Sequence, residues 1–210
     1  MTTLNPIRTF HPRRGRLSGR HHDALGRLLP RYGVGDGEPI GSGRPLVLEI
    51  GFGMGEATAA MAAADPDRDY VGVEIHTPGI ANLLALVEER GLGNVRVARA
   101  DALEFVRDRL APDSLDAIHV FFPDPWPKAR HHKRRLIQPG HVALLASRLR
   151  GGGTLHCATD DAGYATAMRA TLDGHRDMAG AATVQRPVTK FEQRAIDAGR
   201  AVFDLVYRKR

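Results

Sequence analysis

The chain has 210 residues, 42% hydrophobic and 26% charged, which excludes a disordered or fibrous protein and predicts one α/β domain with one active site. Its 30 Lys and Arg outnumber its 24 Asp and Glu, which gives a formal charge of +6, and the location of this excess is more informative than its size. A single cysteine, Cys157, excludes an intrachain disulfide, and the sequence has no export signal or long apolar run, so a cytoplasmic protein outside the membrane is expected.

The excess positive charge is concentrated in three segments. Seven Arg and a single acid lie between Arg8 and Arg31, five basic residues lie between Lys128 and Arg135, and residues 208–210 are all basic. Any one such cluster is also typical of a solvated surface. Three together favour contact with a polyanion.

The sequence divides into an arm and a domain. Residues 1–44 lack sustained periodicity, apart from a short helix predicted at 23–29, and are predicted to form a basic N-terminal arm. In residues 45–210, short β-rich runs alternate with helical stretches, which predicts an open, doubly wound, mostly parallel sheet with helices on both faces. The predicted strands are 46–50, 70–75, 95–99, 115–122, 153–159 and 202–208. The predicted helices are 56–64, 78–90, 102–110, 139–149 and 162–172.

An acidic residue stands at or just past the end of each of the first five predicted strands. The five are Glu49, Glu74, Asp101, Asp124 and Asp160. Because the carboxyl ends of parallel strands meet at one edge of a sheet, these side chains are expected to converge on one crevice. They would repel one another there unless the ligand is cationic or donates hydrogen bonds. A phosphate-rich ligand fits this crevice badly.

The loop after the first strand carries Gly51 and Gly53 at alternate positions. This spacing matches neither the dinucleotide pattern nor the P-loop, and alone it also fits a plain tight turn. Glu74 is spaced to accept from the hydroxyls of a ribose, and Glu49 is placed to face an ammonium group. Asp101 is placed to accept from an adenine amine, to cap the following helix, or both. S-adenosylmethionine offers all of these groups without a phosphate, so it is the predicted cofactor.

Three prolines at alternate positions stiffen the loop after the fourth strand, in residues 123–128. A rigid loop that carries one carboxylate, Asp124, beyond a strand end suits a reaction centre, although an Asp between prolines is also a turn former. Trp126, the only Trp, is expected either to stack on a base or to anchor the loop.

The basic run after this loop predicts contacts to nucleic-acid phosphates. The predicted contact residues are Arg130, His131, His132, Lys133, Arg134 and Arg135. The paired histidines of this run, and the pair at 21–22, lack a ligand spacing with supporting carboxylates, so no metal site is predicted.

Seven segments, in order along the chain, resemble the tRNA (guanine-N7)-methyltransferases of the bacterial single-subunit type. They are residues 14–17, 48–53, 72–75, 101–102, 122–128, 158–160 and 189–192. The resemblance covers residues 13–210 and implies a Rossmann-like class I methyltransferase fold, with S-adenosylmethionine as donor and S-adenosylhomocysteine as product. It implies tRNA as the partner, no obligatory protein partner, and methyl transfer to N7 of a variable-loop guanine at position 46.

The resemblance also implies roles for individual residues. The matches to cofactor-binding positions are Glu49, Glu74, Asp101 and Asp124, beside the loop glycines Gly51 and Gly53. Asp124 is the implied catalytic residue. The matches to substrate-binding positions are Lys128, Asp160, Thr189, Lys190, Phe191 and Glu192. Without the resemblance, residues 189–192 predict only a polar loop before a short helical stretch.

Two other functions are compatible with parts of this pattern. An exocyclic-amine methyltransferase needs adjacent prolines after its polar residue, whereas here Asp124 lies between two prolines. A non-catalytic RNA-binding protein with a methyltransferase-like fold would explain the basic clusters but not the acidic row and the glycine loop. An NAD-dependent dehydrogenase is disfavoured by the glycine spacing and by Glu49.

Overall fold

A computed structural model describes residues 8–10 and 15–210. Arg13 and Arg14 of the predicted basic arm lie outside the described residues, as do the other residues of 1–7 and 11–14. In the described parts of the chain, no helix has the length and apolar character that crossing a membrane requires.

One seven-stranded sheet forms the centre of the molecule. Its strands are β1 (Leu46–Ile50), β2 (Asp69–Glu74), β3 (Val95–Arg99), β4 (Leu115–Phe121), β5 (Leu149–Thr159), β6 (Met178–Gly180) and β7 (Phe203–Lys209). Their order is β3-β2-β1-β4-β5-β7-β6, in which β1 to β5 are parallel and β7 pairs antiparallel with both β5 and β6. The strand order reverses between β1 and β4, and such a switch point opens a crevice at the carboxyl ends of the strands.

Helices cover both faces of the sheet, as predicted. They are α1 (Gly19–Tyr32), α2 (Glu56–Ala64), α3 (Thr77–Glu89), α4 (Ala102–Arg109), α5 (Pro139–Arg148), α6 (Ala162–Asp173) and α7 (Lys190–Asp197). Apolar residues of α1, α2 and α3 pack on one face, and those of α4, α5 and α6 pack on the other. The prediction of a doubly wound, mostly parallel sheet is confirmed.

Two strands differ from the sequence prediction by more than one residue at an end. β5 begins at Leu149 rather than at residue 153, because Leu149 pairs with Leu115 ahead of a register shift, and Gly152 adopts a φ of +79° within that irregularity. The sequence does not predict β6. This strand has only three residues, too few for an alternating pattern, and it forms because β7 offers it an open edge.

The helix in the predicted arm is longer than its sequence suggests. Ser18 caps α1 through a capping box with His21, and Ala24 and Leu28 are buried among residues of the core. Arg27 forms ion pairs with Asp23 and with Glu88 of α3. Tertiary packing thus extends this helix although its glycines and Pro30 have low helix propensity. The division of the chain at residue 44 stays a prediction.

Candidate active site

A cleft of about 180 Å³ lies at the carboxyl ends of the central strands. Its walls come from the loop after β1, the end of β2, the loop after β4 and the start of α7, together with Thr9 and Phe10. The lining residues are 49–54, 56–57, 73–76, 121–124 and 189–191, with Thr9, Phe10, Ala100, Ala102 and Leu136. Of the five predicted acids, Glu49, Glu74 and Asp124 therefore line one cleft.

The glycine loop owes its shape to backbone conformation and to Glu74. Gly51 and Gly53 have φ angles of +72° and +60°, which favour glycine. The Glu74 carboxylate accepts from the backbone N–H of Gly53 at 3.0 Å, of Ile75 at 2.7 Å and of His76 at 3.0 Å. A carboxylate has about four acceptor positions. Acceptor capacity therefore remains for a ligand, and the predicted contact with the ribose hydroxyls stays a prediction.

Glu49 is a buried carboxylate at the floor of the cleft. It is 3% exposed, and the Thr58 hydroxyl donates to it at 2.7 Å. Burial raises its pKa to about 7, against the opposing effects of the Thr58 hydrogen bond and the Arg186 charge. Among the described residues no Lys or Arg forms a salt bridge with it. A carboxylate in this position fits a ligand that brings positive charge.

A buried polar row continues from Glu49 across the sheet. His119 is the cross-strand neighbour of Glu49 on one side and of His156 on the other. Within the described residues, His119 Nδ1 is buried without a hydrogen-bond partner, and burial lowers the pKa of this imidazole to about 3. His119 is therefore neutral at physiological pH. His156 Nε2 contacts Asp204 of β7 at 2.7 Å.

Asp101 and Asp160 flank the cleft rather than line it. Asp101 Oδ1 caps α4, accepting from the backbone N–H of Leu103 at 2.9 Å and of Glu104 at 3.2 Å, so the predicted capping role is confirmed. Its role toward a cofactor stays a prediction. Asp160 accepts from Arg200 Nε at 3.0 Å.

The loop that carries Asp124 is strained and anchored. Phe122 and Trp126, on either side of Asp124, have φ angles of +52° and +46°, a conformation that costs about 1–3 kcal/mol at a non-glycine residue and recurs at functional sites. The Trp126 indole is buried, and its N–H donates to the carbonyl of Thr9 at 3.2 Å. Trp126 therefore anchors the loop and does not present its ring to a base.

The basic run after this loop forms a 3₁₀ helix at Ala129–Arg134. The predicted contact residues Arg130, His132 and Lys133 are exposed, as is Lys128. His131 packs edge-on against the Trp126 ring, and the Arg134 guanidinium lies 4.4 Å from the centre of that ring.

The structure corrects the prediction for Arg135. Its side chain is buried, with Nε donating to the Pro125 carbonyl at 2.9 Å and the guanidinium over the Tyr164 ring. Charge alone suggested a surface residue, but hydrogen bonding and cation–π contact make Arg135 part of the packing beneath the loop, where it cannot reach RNA.

The segment 189–192 forms the first turn of α7. Thr189 and Glu192 make a capping box, and Lys190 pairs with Glu56 of α2. Phe191 is 43% exposed, and its ring faces the glycine loop across the cleft. If Gly53 carried a Cβ, that atom would lie 4.0 Å from the Phe191 ring. Glu192 points away from the cleft and pairs with Arg186.

Comparison with known proteins identifies the family. A family model described as "Putative methyltransferase" matches residues 43–205. A tRNA (guanine-N(7)-)-methyltransferase of Streptomyces avermitilis is 50% identical over an alignment of 218 residues including gaps, which covers 97% of this chain and 75% of that protein. One of Paraburkholderia xenovorans is 49% identical over an alignment of 217 residues, which covers 97% of this chain and 84% of that protein. The chain belongs to the tRNA (guanine-N(7)-)-methyltransferase family.

Solved structures with the same fold include two methyltransferases of ribosomal RNA. The 16S rRNA methyltransferase KamB has a TM-score of 0.56 at 16% identity, over 96% of this chain and 98% of that one. An rRNA methylase of Streptococcus thermophilus has a TM-score of 0.56 at 14% identity, over 81% and 89%. Such distant likeness shows the fold alone, and it confirms the predicted class I methyltransferase architecture.

Sequence reasoning missed several residues of this methyltransferase cleft. Phe121 and Phe122 line it, as do Thr9 and Phe10, and Arg186 supports it from behind. A lone Arg in a stretch without helical or strand periodicity carries no local signal of burial. In the described chain, no group of three or more His, Cys, Asp or Glu is arranged to hold a metal ion.

Proposed function

We propose that this chain transfers a methyl group from S-adenosylmethionine to N7 of a guanine in tRNA. The observation that carries the proposal is the buried Glu49 beside the glycine loop, in a cleft that Glu74 and Asp124 also line. Besides Glu56, whose charge Lys190 balances, these three carboxylates at one opening favour a cationic ligand and disfavour a phosphate. The names of the relatives supply the acceptor, which is tRNA guanine N7.

The cleft residues fit this cofactor in three places. Glu49 would accept from the ammonium of the methionine moiety, and the remaining acceptor capacity of Glu74 would bind a ribose hydroxyl. Gly51 and Gly53 let a ligand approach the backbone because neither carries a Cβ. When bound, the cofactor supplies an electrophilic methyl group on a sulfonium.

Asp124 is the residue we assign to catalysis. N7 of guanine has a free lone pair, so no side chain has to remove a proton before the methyl group is attacked. The protein must instead align the two reactants and place negative charge near the purine, which becomes cationic as N7 gains the methyl group. Asp124 lines the cleft on a stiff loop and carries that charge.

The tRNA would approach over the exposed basic residues beside this loop. Four basic residues there are exposed: Lys128, Arg130, His132 and Lys133. They follow directly on the loop whose residues Pro123 and Asp124 line the cleft. Such residues bind the phosphates of the RNA backbone, and this binding does not depend on the base sequence. We propose position 46 of the variable loop as the target and Lys128, Asp160 and residues 189–191 as the substrate-binding set, with Glu192 holding that turn through Arg186 rather than contacting the substrate itself.

The test is incubation with methyl-labelled S-adenosylmethionine and unmodified tRNA, followed by nucleoside analysis and mapping of the label. We expect N7-methylguanine at position 46. Label in N6-methyladenine would overturn the proposal in favour of an exocyclic-amine methyltransferase. Binding of tRNA without any methylation would favour a non-catalytic RNA-binding protein.

Two substitutions of Asp101 separate its capping role from cofactor binding. Ser also caps helices, so Asp101→Ser should keep stability, whereas Asp101→Ala should lose about 1 kcal/mol. If the carboxylate binds the adenine amine, both variants should raise the cofactor Kd by about tenfold. Urea unfolding and calorimetric titration measure the two effects. Wild-type cofactor affinity in Asp101→Ser would show that Asp101 is only a cap.

Neutralising two exposed basic residues should weaken RNA binding alone. Arg130→Gln with Lys133→Gln removes two phosphate contacts, so tRNA affinity should fall and the slope of log K against log salt should decrease by about 2. Cofactor affinity should be unchanged. The matched control is Arg90→Gln with Arg107→Gln, two exposed arginines near the carboxyl ends of α3 and α4. Equal losses in both double variants would contradict a local RNA surface.

A further inference from the structure

A buried arginine connects β7 to the start of α7. The Arg186 side chain is 6% exposed, and its Nε and Nη2 donate to the two carboxylate oxygens of Asp204 at 2.9 Å and 3.1 Å. Its Nη1 pairs with Glu192. The planar guanidinium thus uses one edge for β7 and the other for α7.

The face of the same guanidinium lies against the cleft wall that leads to Asp124. Its central carbon lies 4.9 Å from the centre of the Phe121 ring and 5.6 Å from that of Phe122. Both rings line the cleft, and Phe122 is the strained residue two positions before Asp124. Arg186 therefore contacts the base of the catalytic loop without being one of the residues that line the cleft.

Glu192 transmits the position of Arg186 to the opposite wall. Its carboxylate accepts from the Thr189 backbone N–H at 3.3 Å, while Thr189 Oγ accepts from the Glu192 N–H at 3.1 Å. This capping box fixes the first turn of α7, which places Lys190 and Phe191 on the cleft. The wall formed by residues 189–191 is thus tied through Glu192 to Arg186.

We propose that Arg186 is a positioning residue that sets the 189–191 wall relative to the Asp124 loop. A buried ion pair contributes little net stability compared with well-packed apolar residues, so stability alone is a weak reason for such a cluster. Arg186 instead joins three elements, because it contacts Asp204 of β7, Glu192 of α7 and Phe121 at the end of β4. A substrate base would enter between these elements. The kinetic consequence rests on the proposed function.

Lysine cannot replace Arg186 in this arrangement. An ammonium group is a point donor, and it cannot form the paired bonds to Asp204, reach Glu192 and lie flat on two rings at once. Arg186→Lys keeps the charge, so it is the variant most expected to fold. Arg186→Met removes the charge, and Asp204→Asn weakens the paired bonds from the other side while keeping the size of the side chain.

The first measurement is hydrogen exchange followed by mass spectrometry, which does not depend on activity. In Arg186→Lys and Asp204→Asn, the amides of residues 189–197 should exchange about tenfold faster than in wild type, with the central strands unchanged. The matched control is Arg150→Lys, because Arg150 also pairs with a mostly buried carboxylate, Asp116, outside the cleft. Wild-type exchange at 189–197 in both variants would overturn the proposal, even if Arg186→Met fails to fold.

The second measurement is steady-state kinetics on folded Arg186→Lys. We expect kcat/KM for tRNA to fall at least about tenfold while cofactor Kd stays within about twofold of wild type, because Glu49 and Glu74 keep their positions and Glu74 still holds the glycine loop. Faster exchange with unchanged kcat/KM would mean that Arg186 is only structural. A wild-type chain without methylation activity would overturn the proposed function, and the exchange data would still decide whether Arg186 positions α7.

Discussion

Asp124→Ala is expected to lower kcat by about 10²- to 10³-fold while raising cofactor Kd by no more than about tenfold. The purine becomes cationic only as N7 takes the methyl group, so a nearby carboxylate stabilises the transition state more than the bound reactants. Single-turnover methylation of tRNA measures the chemical step, and calorimetric titration measures cofactor affinity. Equal losses in both would mean that Asp124 is only a binding residue.

Asp124→Asn is the matched control for the shape of the loop. Asn forms turns as readily as Asp, so this variant keeps the backbone between the two prolines and removes only the charge. We expect it to lose nearly as much kcat as Asp124→Ala. Near-wild-type turnover in Asp124→Asn would show that the residue is a turn former, which is the alternative that the sequence leaves open.

The sheet and the acids that line the cleft can be predicted because their signals are local. Alternating strands and helices fix the order of the elements, and a residue at the end of a parallel strand must lie at the carboxyl edge. That rule is enough to bring Glu49, Glu74 and Asp124 to one cleft, where the structure has them. It brings Asp101 and Asp160 only near the cleft, since the rule does not specify which way a side chain turns.

The parts that could not be predicted depend on contacts between distant segments. Arg186 is buried because β7 returns antiparallel beside β5 and brings Asp204 to it, and Arg135 is buried because Tyr164 of α6 lies beneath it. Neither partner is near in sequence. The start of α7 is different, because the spacing of Thr189 and Glu192 is a capping-box pattern that local reasoning can find.

We expect the ionised Glu49 to lower the stability of the ligand-free fold and to strengthen cofactor binding. Burial raises the pKa of its carboxyl group from 4.5 to about 7, so its contribution to stability is present below pH 4.5 and is lost as the pH rises through 7. Above that range the folded protein holds a buried charge that the unfolded chain would leave in water. A positively charged ligand compensates that charge, which is why a binding site retains it.

Glu49→Gln should therefore stabilise the ligand-free protein and weaken cofactor binding together. From the size of the pKa shift, we expect a gain of about 3 kcal/mol in the free energy of unfolding above neutral pH, and no gain in acid. Cofactor Kd should rise about 10- to 100-fold, since Gln has no charge to offer an ammonium group.

The pH dependence of the two proteins separates this account from simple loss of a contact. Between about pH 6 and pH 7.5, wild-type cofactor Kd should fall as Glu49 ionises, whereas Kd of Glu49→Gln should stay flat. Urea unfolding and calorimetric titration across this range provide both quantities, with the exposed Glu104→Gln as a control that changes neither. A variant that binds the cofactor like wild type would show that Glu49 holds no cation in this cleft. A variant that loses stability above neutral pH would show that the buried charge does not destabilise the ligand-free protein.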